Sequence, residues 1–117
     1  MSIKYLNPSP RMSQATIHGD LVFTAGQVDG SASDVATQTK QILGKIDSLL
    51  AEAGCDKSRV LIANIWLSDV STFAEMNAVW ETWITPETAP ARATVGSILA
   101  GPEYKVEIAV IAAIESN

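Results

Sequence analysis

Short apolar runs separated by turn residues alternate along the chain with two longer stretches of helical periodicity. Residues 16–18 and 21–24 flank a Gly-Asp pair, a pattern typical of a tight β-hairpin. Residues 60–67 are apolar at nearly every position, which predicts a central strand covered on both faces. Ahead of the hairpin, prolines within residues 8–10 predict a stiff, extended N-terminal arm.

Two further strands are expected in the last quarter of the chain. Residues 92–99 and 104–114 are rich in apolar and β-branched residues, and Gly101-Pro102 marks a turn between them. These two strands are therefore predicted to be neighbours joined by a hairpin.

The first helix is predicted to begin with Ser33 as its N-cap and Asp34 in its first turn. Gly54 ends it, and a close packing contact would explain Gly44 in its interior. Its apolar residues recur on one helical stripe: Val35, Ile42, Ile46, Leu49, Leu50 and Ala53.

The second helix is predicted from a capping box, in which Thr72 is followed three residues later by Glu75. The apolar residues that follow share one face of this helix: Phe73, Met76, Trp80, Trp83 and Ile84.

These elements give the order ββαβαββ within one domain that spans residues 1–117. Strands mixed with two helices in a small chain indicate an α+β fold, with a mixed sheet and both helices on one of its faces. The other face keeps the apolar candidates Trp66, Ile108 and Val110, and so short a chain has no third layer to cover them. Association of copies through that face is the expected solution.

Composition and charge narrow the possible functions. Hydrophobic residues make up 47% of the chain and charged residues 18%, as in globular proteins. The net charge of −5 argues against a nucleic-acid partner, and a single cysteine with a single histidine argues against disulfides and metal sites. Because no apolar run approaches ~20 residues and the N-terminus lacks an apolar signal core, we expect a cytoplasmic protein with no membrane partner.

Two charged residues in apolar strands are the main candidates for chemistry. Arg92 begins an otherwise uncharged strand, where its planar guanidinium could hold a carboxylate; a surface arginine is the alternative. Glu107 alternates with apolar neighbours, and a carboxylate there is costly to bury unless it is paired or catalytic. The alternative is a solvent-facing residue paired with Lys105 or with a cation of another strand. On neighbouring strands, Arg92 and Glu107 would share one cleft.

The remaining candidates favour structural roles. His18 lies beside the hairpin turn with no second His or Cys at ligand spacing, and Cys55 has no partner histidine to activate it. Residues 26–30 lack the G-x-G-x-x-G spacing, so no nucleotide is indicated. The tryptophans are interpreted as core or interface anchors, with a cleft-lining role for one of them as the alternative: Trp66, Trp80 and Trp83.

Residues 89–95, Ala-Pro-Ala-Arg-Ala-Thr-Val, carry the most specific motif. They are followed by a short strand, the Gly-Pro turn and Lys-Val-Glu-Ile at residues 105–108. Residues 24–27 (Thr-Ala-Gly-Gln) and 76–78 (Met-Asn-Ala) precede them in the matching order. In these motifs, and over nearly its whole length, the chain resembles the RidA/YjgF family of enamine/imine deaminases, and within it the short bacterial YoaB-like members.

The resemblance implies a chorismate-mutase-like fold and a barrel-like homotrimer with ligand clefts between subunits. It also implies hydrolysis, without a cofactor, of enamines and imines of the 2-aminoacrylate type to 2-keto acids and ammonia. In this reaction Arg92 would hold the carboxylate of the imine or keto acid, and Glu107 would hold water and exchange protons. The backbone of Gly26 and Thr94 would orient substrate and water. Further substrate-binding positions implied by the resemblance are Met12, Asn77 and Ala93.

Three positions depart from the family pattern. Thr94 replaces a cysteine of the best-known deaminases, Met12 replaces a tyrosine that touches ligand, and Ala25 replaces a serine. The arginine and the glutamate are retained, whereas the rim of the pocket loses a hydroxyl contact and becomes more apolar. These changes bear on substrate preference.

Three functions compete at this point: an imine deaminase, a trimer that binds small 2-keto or amino acids without turnover, and a protein that acts on RNA. The third enters because some family members have been described as ribonucleases or translation inhibitors. Arg92 fits the first two functions, and Glu107 favours the first because a carboxylate weakens simple binding of an anion. The net charge of −5 argues against the third.

Overall fold

The structure, a computed structural model, describes residues 2–114. Short 3-10 helices occur at Lys57–Arg59, Val70–Thr72 and Pro86–Thr88. No helix in this part of the chain is long and apolar enough to cross a membrane. The strands and α-helices are, in chain order, β1 Ile3–Leu6, β2 Ala15–His18, β3 Leu21–Thr24, α1 Val35–Ala53, β4 Val60–Leu67, α2 Phe73–Trp83, β5 Ala91–Gly96 and β6 Val106–Ala113.

The six strands form one mixed sheet in the order β1-β2-β3-β6-β4-β5. Strands β4 and β5 are parallel, and all other neighbours are antiparallel. The predicted β2–β3 hairpin is confirmed. The predicted order lacked β1, because residues 3–6 pair with β2 where an extended arm was expected. Three of the four β1 residues are exposed, so their hydrophobic pattern does not mark a strand.

The prediction that the last two strands form a hairpin is wrong. Strand β4 lies between β5 and β6, parallel to the first and antiparallel to the second. The physical reason is the crossover through α2. It returns the chain to the end of the sheet at which β4 begins, so β5 runs parallel to β4. The loop from β5 to β6 then passes the end of β4, where the Ser97 amide donates to the Leu67 carbonyl and the Ser68 amide to that of Lys105.

Both helices pack on one face of the sheet, as predicted. Ile42 and Ile46 of α1 and Met76 of α2 are fully buried there. Ile108 and Val110 belong to this core and not to the opposite face, where they were expected. Alternate residues of β3, β4 and β6 complete the core: Val22, Ala63, Ile65, Leu67, Val106, Ile108, Val110 and Ala112.

The opposite face of the sheet, here the open face, is apolar and only partly covered within residues 2–114. Phe23 remains 37% exposed and Val95 50% exposed. Within this part of the chain, β4 is therefore covered by helices on one face only, which corrects the prediction that both faces are buried. By alternation, the open face carries Phe23, Ile62, Asn64, Trp66, Val95, Glu107, Ala109 and Ile111.

Helix α1 begins one residue later than predicted. Asp34, not Ser33, is the N-cap, and its carboxylate accepts a hydrogen bond from the Thr37 amide at 2.9 Å. This bond and that of the Thr37 hydroxyl lower the pKa of Asp34. The stop at Gly54 is confirmed, with a left-handed φ of 90° that favours glycine.

The predicted capping box of α2 does not form. Thr72 makes no side-chain capping bond, and its hydroxyl donates instead to the Asp69 carbonyl at 2.6 Å. Glu75 accepts a hydrogen bond from the Ala36 amide of α1 at 3.0 Å. The Glu75 carboxylate thus stabilises the N-terminus of α1 and not that of α2, because tertiary packing places a free amide of α1 within hydrogen-bond distance.

We expect Gly44→Ala to raise the free energy of unfolding by about 0.5–1 kcal/mol, since alanine favours a helix interior over glycine. The packing contact predicted for Gly44 is not present among residues 2–114: outside its chain neighbours and the backbone of α1, no atom there lies within 4 Å of a β-carbon built at Gly44. Denaturant unfolding at one protein concentration measures the change. The matched control is Gly54→Ala, which should lower stability because φ is 90°. A loss of stability in Gly44→Ala would contradict this account.

Candidate active site

Arg92 extends from β5 onto α2. Its Nη1 donates to Oδ1 of Asn77 at 2.6 Å. Its Cζ lies over two aromatic rings, 5.5 Å from the centroid of Phe73 and 5.4 Å from that of Trp80. These three residues are four and three positions apart, so one stripe of α2 supplies all the contacts. We call Phe73, Asn77 and Trp80 the Arg92 cradle.

The cradle holds a cation without neutralising it. Within residues 2–114, Arg92 has no carboxylate within 4 Å, and the Asn77 oxygen is its one hydrogen-bond acceptor. A guanidinium has five N–H donors, so most of its donors stay free for another molecule. The side chain is only partly exposed, and a partly desolvated cation favours an anionic partner. This arrangement suits a planar carboxylate.

Thr94 lies two residues further along β5, on the same face as Arg92. Its hydroxyl is buried and has no hydrogen-bond partner, which is uncommon in proteins. Because the Ser97 amide donates to Leu67 on β4, alternation directs the Thr94 amide away from β4, to the free edge of β5. Ala93 points the other way, to the open face. The amide of Thr94 is thus placed to donate to a molecule beside this edge.

Glu107 lies on the open face, at the position of β6 that pairs with Trp66 of β4. Within residues 2–114, its carboxylate receives no hydrogen bond and forms no ion pair, so the alternative of a pairing with Lys105 is not seen. It packs directly on Gly26, where a β-carbon would collide with Oε2 of Glu107. Two backbone hydrogen bonds between Gln27 and Ile108, of 2.8 and 3.1 Å, hold the segments together. Glycine at position 26 thus leaves the space in which the Glu107 carboxylate lies.

Met12 is 46% exposed in the loop between β1 and β2. This loop is joined to the Gly26 segment through Gln14, whose carbonyl accepts from the Ala25 amide at 2.8 Å. The side chain of Gln14 also accepts from that of Gln27 at 3.0 Å. Met12 thus belongs to the same side of the molecule as Gly26.

The candidate residues form two separate groups, one around Arg92 and one around Glu107. Arg92 pairs with Ala63 of β4 and shares its face, whereas Glu107 pairs with Trp66 on the opposite face. Their positions differ by two strand spacings, about 10 Å, and by three residues, about 10 Å along β4. The expectation that the two residues lie on neighbouring strands is therefore wrong, because β4 separates β5 from β6.

Three other candidates lie outside both groups: His18, Cys55 and Trp83. His18 is exposed on β2. The pKa of the Cys55 thiol is raised, mainly by burial and secondly by the negative charge of Asp56, so the thiol stays protonated near neutral pH. Trp80 and Trp83 are buried in the core, as predicted. Among the described side chains, no three His, Cys, Asp or Glu residues come together as a metal site.

Sequence reasoning missed the role of Phe73 and Trp80 beside Arg92. Their spacing on α2 was visible and was assigned to the apolar stripe that faces the core. Arg92 lies on β5, beyond the loop that follows α2. Which residues of α2 lie beside it depends on tertiary packing, which the sequence pattern does not reveal. Asn77 was expected to touch substrate, and the structure places its oxygen on Arg92.

Comparison with known proteins agrees with the resemblance seen in the motifs. The family model described as Endoribonuclease L-PSP matches residues 2–114. A RutC family protein of Haemophilus influenzae is 43% identical, covering 96% of this chain and 98% of the relative. The RutC family protein YoaB of Escherichia coli is 37% identical, covering 97% and 100%.

Solved structures give the same result. A member of the YjgF protein family from Neisseria meningitidis has a TM-score of 0.97 at 42% identity, covering 100% of this chain and 98% of that one. A protein from Salmonella typhimurium, described as a putative translation initiation inhibitor, has a TM-score of 0.87 at 38% identity, covering 97% and 98%. The match over residues 2–114 and these relatives show that the chain belongs to the Endoribonuclease L-PSP family, which includes the RutC and YjgF proteins.

Proposed function

We propose that this protein hydrolyses imines of 2-amino acids, and enamines of the 2-aminoacrylate type that tautomerise to them, to 2-keto acids and ammonia. The observation that carries the proposal is the state of Arg92. Its guanidinium is held in place by neutral groups and has no carboxylate partner within residues 2–114. Every such imine carries a carboxylate next to the reacting carbon, which fits a bidentate arginine.

We further propose that each site is completed by a second copy of the chain, in a homotrimer. Arg92 and Glu107 face opposite sides of one sheet, so a ligand that touches both needs them from different chains. The apolar open face supports association, because Phe23 and Val95 stay substantially exposed within a single copy. A ring of three copies uses one kind of interface three times and closes on itself.

The proposed reaction needs positioning and proton transfer more than a strong catalyst. Arg92 holds the substrate carboxylate, and the Thr94 amide at the strand edge orients the substrate. Glu107 accepts a proton from water as the water oxygen bonds to the iminium carbon, giving a carbinolamine. Glu107 then returns this proton to the nitrogen, and the carbon–nitrogen bond breaks. The hydroxyl proton passes to Glu107 as the carbonyl forms, and the departing ammonia takes it from Glu107 and leaves as ammonium. Holding the water against an electrophilic carbon supplies most of the acceleration.

Binding of a keto acid without turnover is the alternative, since Arg92 serves both functions. Glu107 disfavours it, because a carboxylate without an ion-pair partner repels an anionic ligand unless it takes part in the reaction. RNA cleavage, which the description of the family model names, is disfavoured by the net charge of −5 and by the single, exposed histidine.

The first test substitutes the two charged residues. We expect Arg92→Ala to abolish both keto-acid binding and imine hydrolysis, and Arg92→Lys to restore little, since an ammonium lacks the planar two-point contact. We expect Glu107→Gln to retain much of the binding and to lose about 10²–10⁴-fold in rate. Calorimetry with a small 2-keto acid measures binding, and ammonia release from an imine generated by an amino-acid oxidase, above the uncatalysed background, measures turnover. Parental turnover in Glu107→Gln, together with keto-acid binding by Arg92→Ala, would exclude this site.

The second test asks whether the two residues act across an interface. Arg92→Ala and Glu107→Gln chains, unfolded together and refolded as a 1:1 mixture, should recover about one quarter of the parental activity. This is the fraction of interfaces in a random ring that receive both intact residues. Light scattering should give about three times the chain mass of 12.4 kDa. Each variant refolded alone is the control, and mixed trimers without recovered activity would contradict a shared site.

The third test separates the amide of Thr94 from its hydroxyl. We expect Thr94→Val to keep parental turnover within about twofold and to raise the free energy of unfolding by up to ~1 kcal/mol, because it removes a buried donor that has no partner. The amide at the strand edge is unchanged in this variant. A rate loss above about tenfold in a folded Thr94→Val would assign the hydroxyl a part in the reaction.

A further inference from the structure

We infer that Phe73 is a positioning residue for Arg92, with Trp80 as its buried counterpart; the effect on turnover rests on the proposed function. The relevant contacts are those of the Arg92 cradle, in which Cζ lies over both rings at 5.5 and 5.4 Å. A guanidinium over an aromatic face at this separation is attracted by the electron-rich face of the ring.

Phe73 does not behave as an ordinary core residue. It is the first residue of α2 and remains 40% exposed, whereas Met76 and Trp80 on the same helix are nearly fully buried. The large apolar side chain therefore gains little from burial in the core. Its ring lies against the guanidinium of Arg92, which has no carboxylate partner within residues 2–114.

The cradle restricts a side chain that would otherwise have many conformers. An arginine side chain loses much rotamer freedom when it binds a ligand, and this ordering weakens the affinity. The cost is smaller when contacts within the protein already hold the side chain in place. The hydrogen bond to Asn77 fixes one nitrogen, and the rings limit rotation of the guanidinium plane. The bond to Asn77 uses one N–H, so the guanidinium keeps further donors for a carboxylate, which can accept two parallel hydrogen bonds.

The inference predicts an effect on binding and not on the chemical step. We expect Phe73→Leu to weaken binding of a small 2-keto acid by about 2- to 30-fold, the range of a cation–π contact. KM for the imine should rise by a similar factor while kcat stays near the parental value. Phe73→Tyr keeps an aromatic face and should restore both constants.

The closing experiment compares these two variants with Val79→Ala, a matched loss of packing on another side of α2. Calorimetry gives the Kd for the keto acid, and ¹⁵N relaxation of Nε of Arg92, measured without ligand, reports its mobility. We expect an ordered Nε in the parental protein, Phe73→Tyr and Val79→Ala, and a mobile Nε in Phe73→Leu. Equal mobility in all four, or parental affinity in Phe73→Leu, would overturn the inference.

Failure of the proposed function gives a different result. If the parental protein neither binds keto acid nor hydrolyses imine, that function is wrong. The relaxation measurement then still decides whether Phe73 orders Arg92, because it requires no ligand.

Discussion

The insertion of β4 between β5 and β6 is the constraint on which the arrangement of the candidate site depends. It follows from the crossover through α2, which makes β5 parallel to β4 and leaves β6 to pair on the other side. Pairing with β4 then determines on which face of the sheet each residue of β5 and β6 lies. Arg92 falls on the helix side and Glu107 on the open face. In the function that we propose, one folded chain therefore presents two incomplete halves of a site.

Each half is stabilised locally, and each lacks an electrostatic partner among the described residues. The Arg92 cradle uses an amide oxygen and two aromatic faces, which orient a cation without cancelling its charge. Glu107 sits on a glycine that leaves room for its carboxylate. Partly buried charges of this kind are costly unless another molecule completes them. By the same reasoning, we propose that a second copy covers the apolar open face and that burial of this face stabilises the assembly.

Local sequence signals predicted the parts of the fold that depend on neighbouring residues. The β2–β3 hairpin and the Gly54 stop are determined by conformations within a few residues, and both predictions are confirmed. The capping role of Glu75 failed because the carboxylate met an amide of α1, 39 positions away, which no local motif describes. The hairpin predicted for the last two strands failed for the same reason, since strand order depends on the crossover.

The candidate site likewise combines features that local motifs predict with features that depend on strand pairing. The motifs around Arg92 and Glu107 made both residues candidates, whereas the face of the sheet on which each lies became visible only through pairing with Ala63 and Trp66. The central claim is that one ligand joins residues of two chains. A crystal structure with a bound 2-keto acid tests it most directly: we expect the ligand carboxylate on Arg92 of one copy and its carbonyl beside Glu107 of another. A ligand bound at Arg92 with no second copy at the site would contradict the claim.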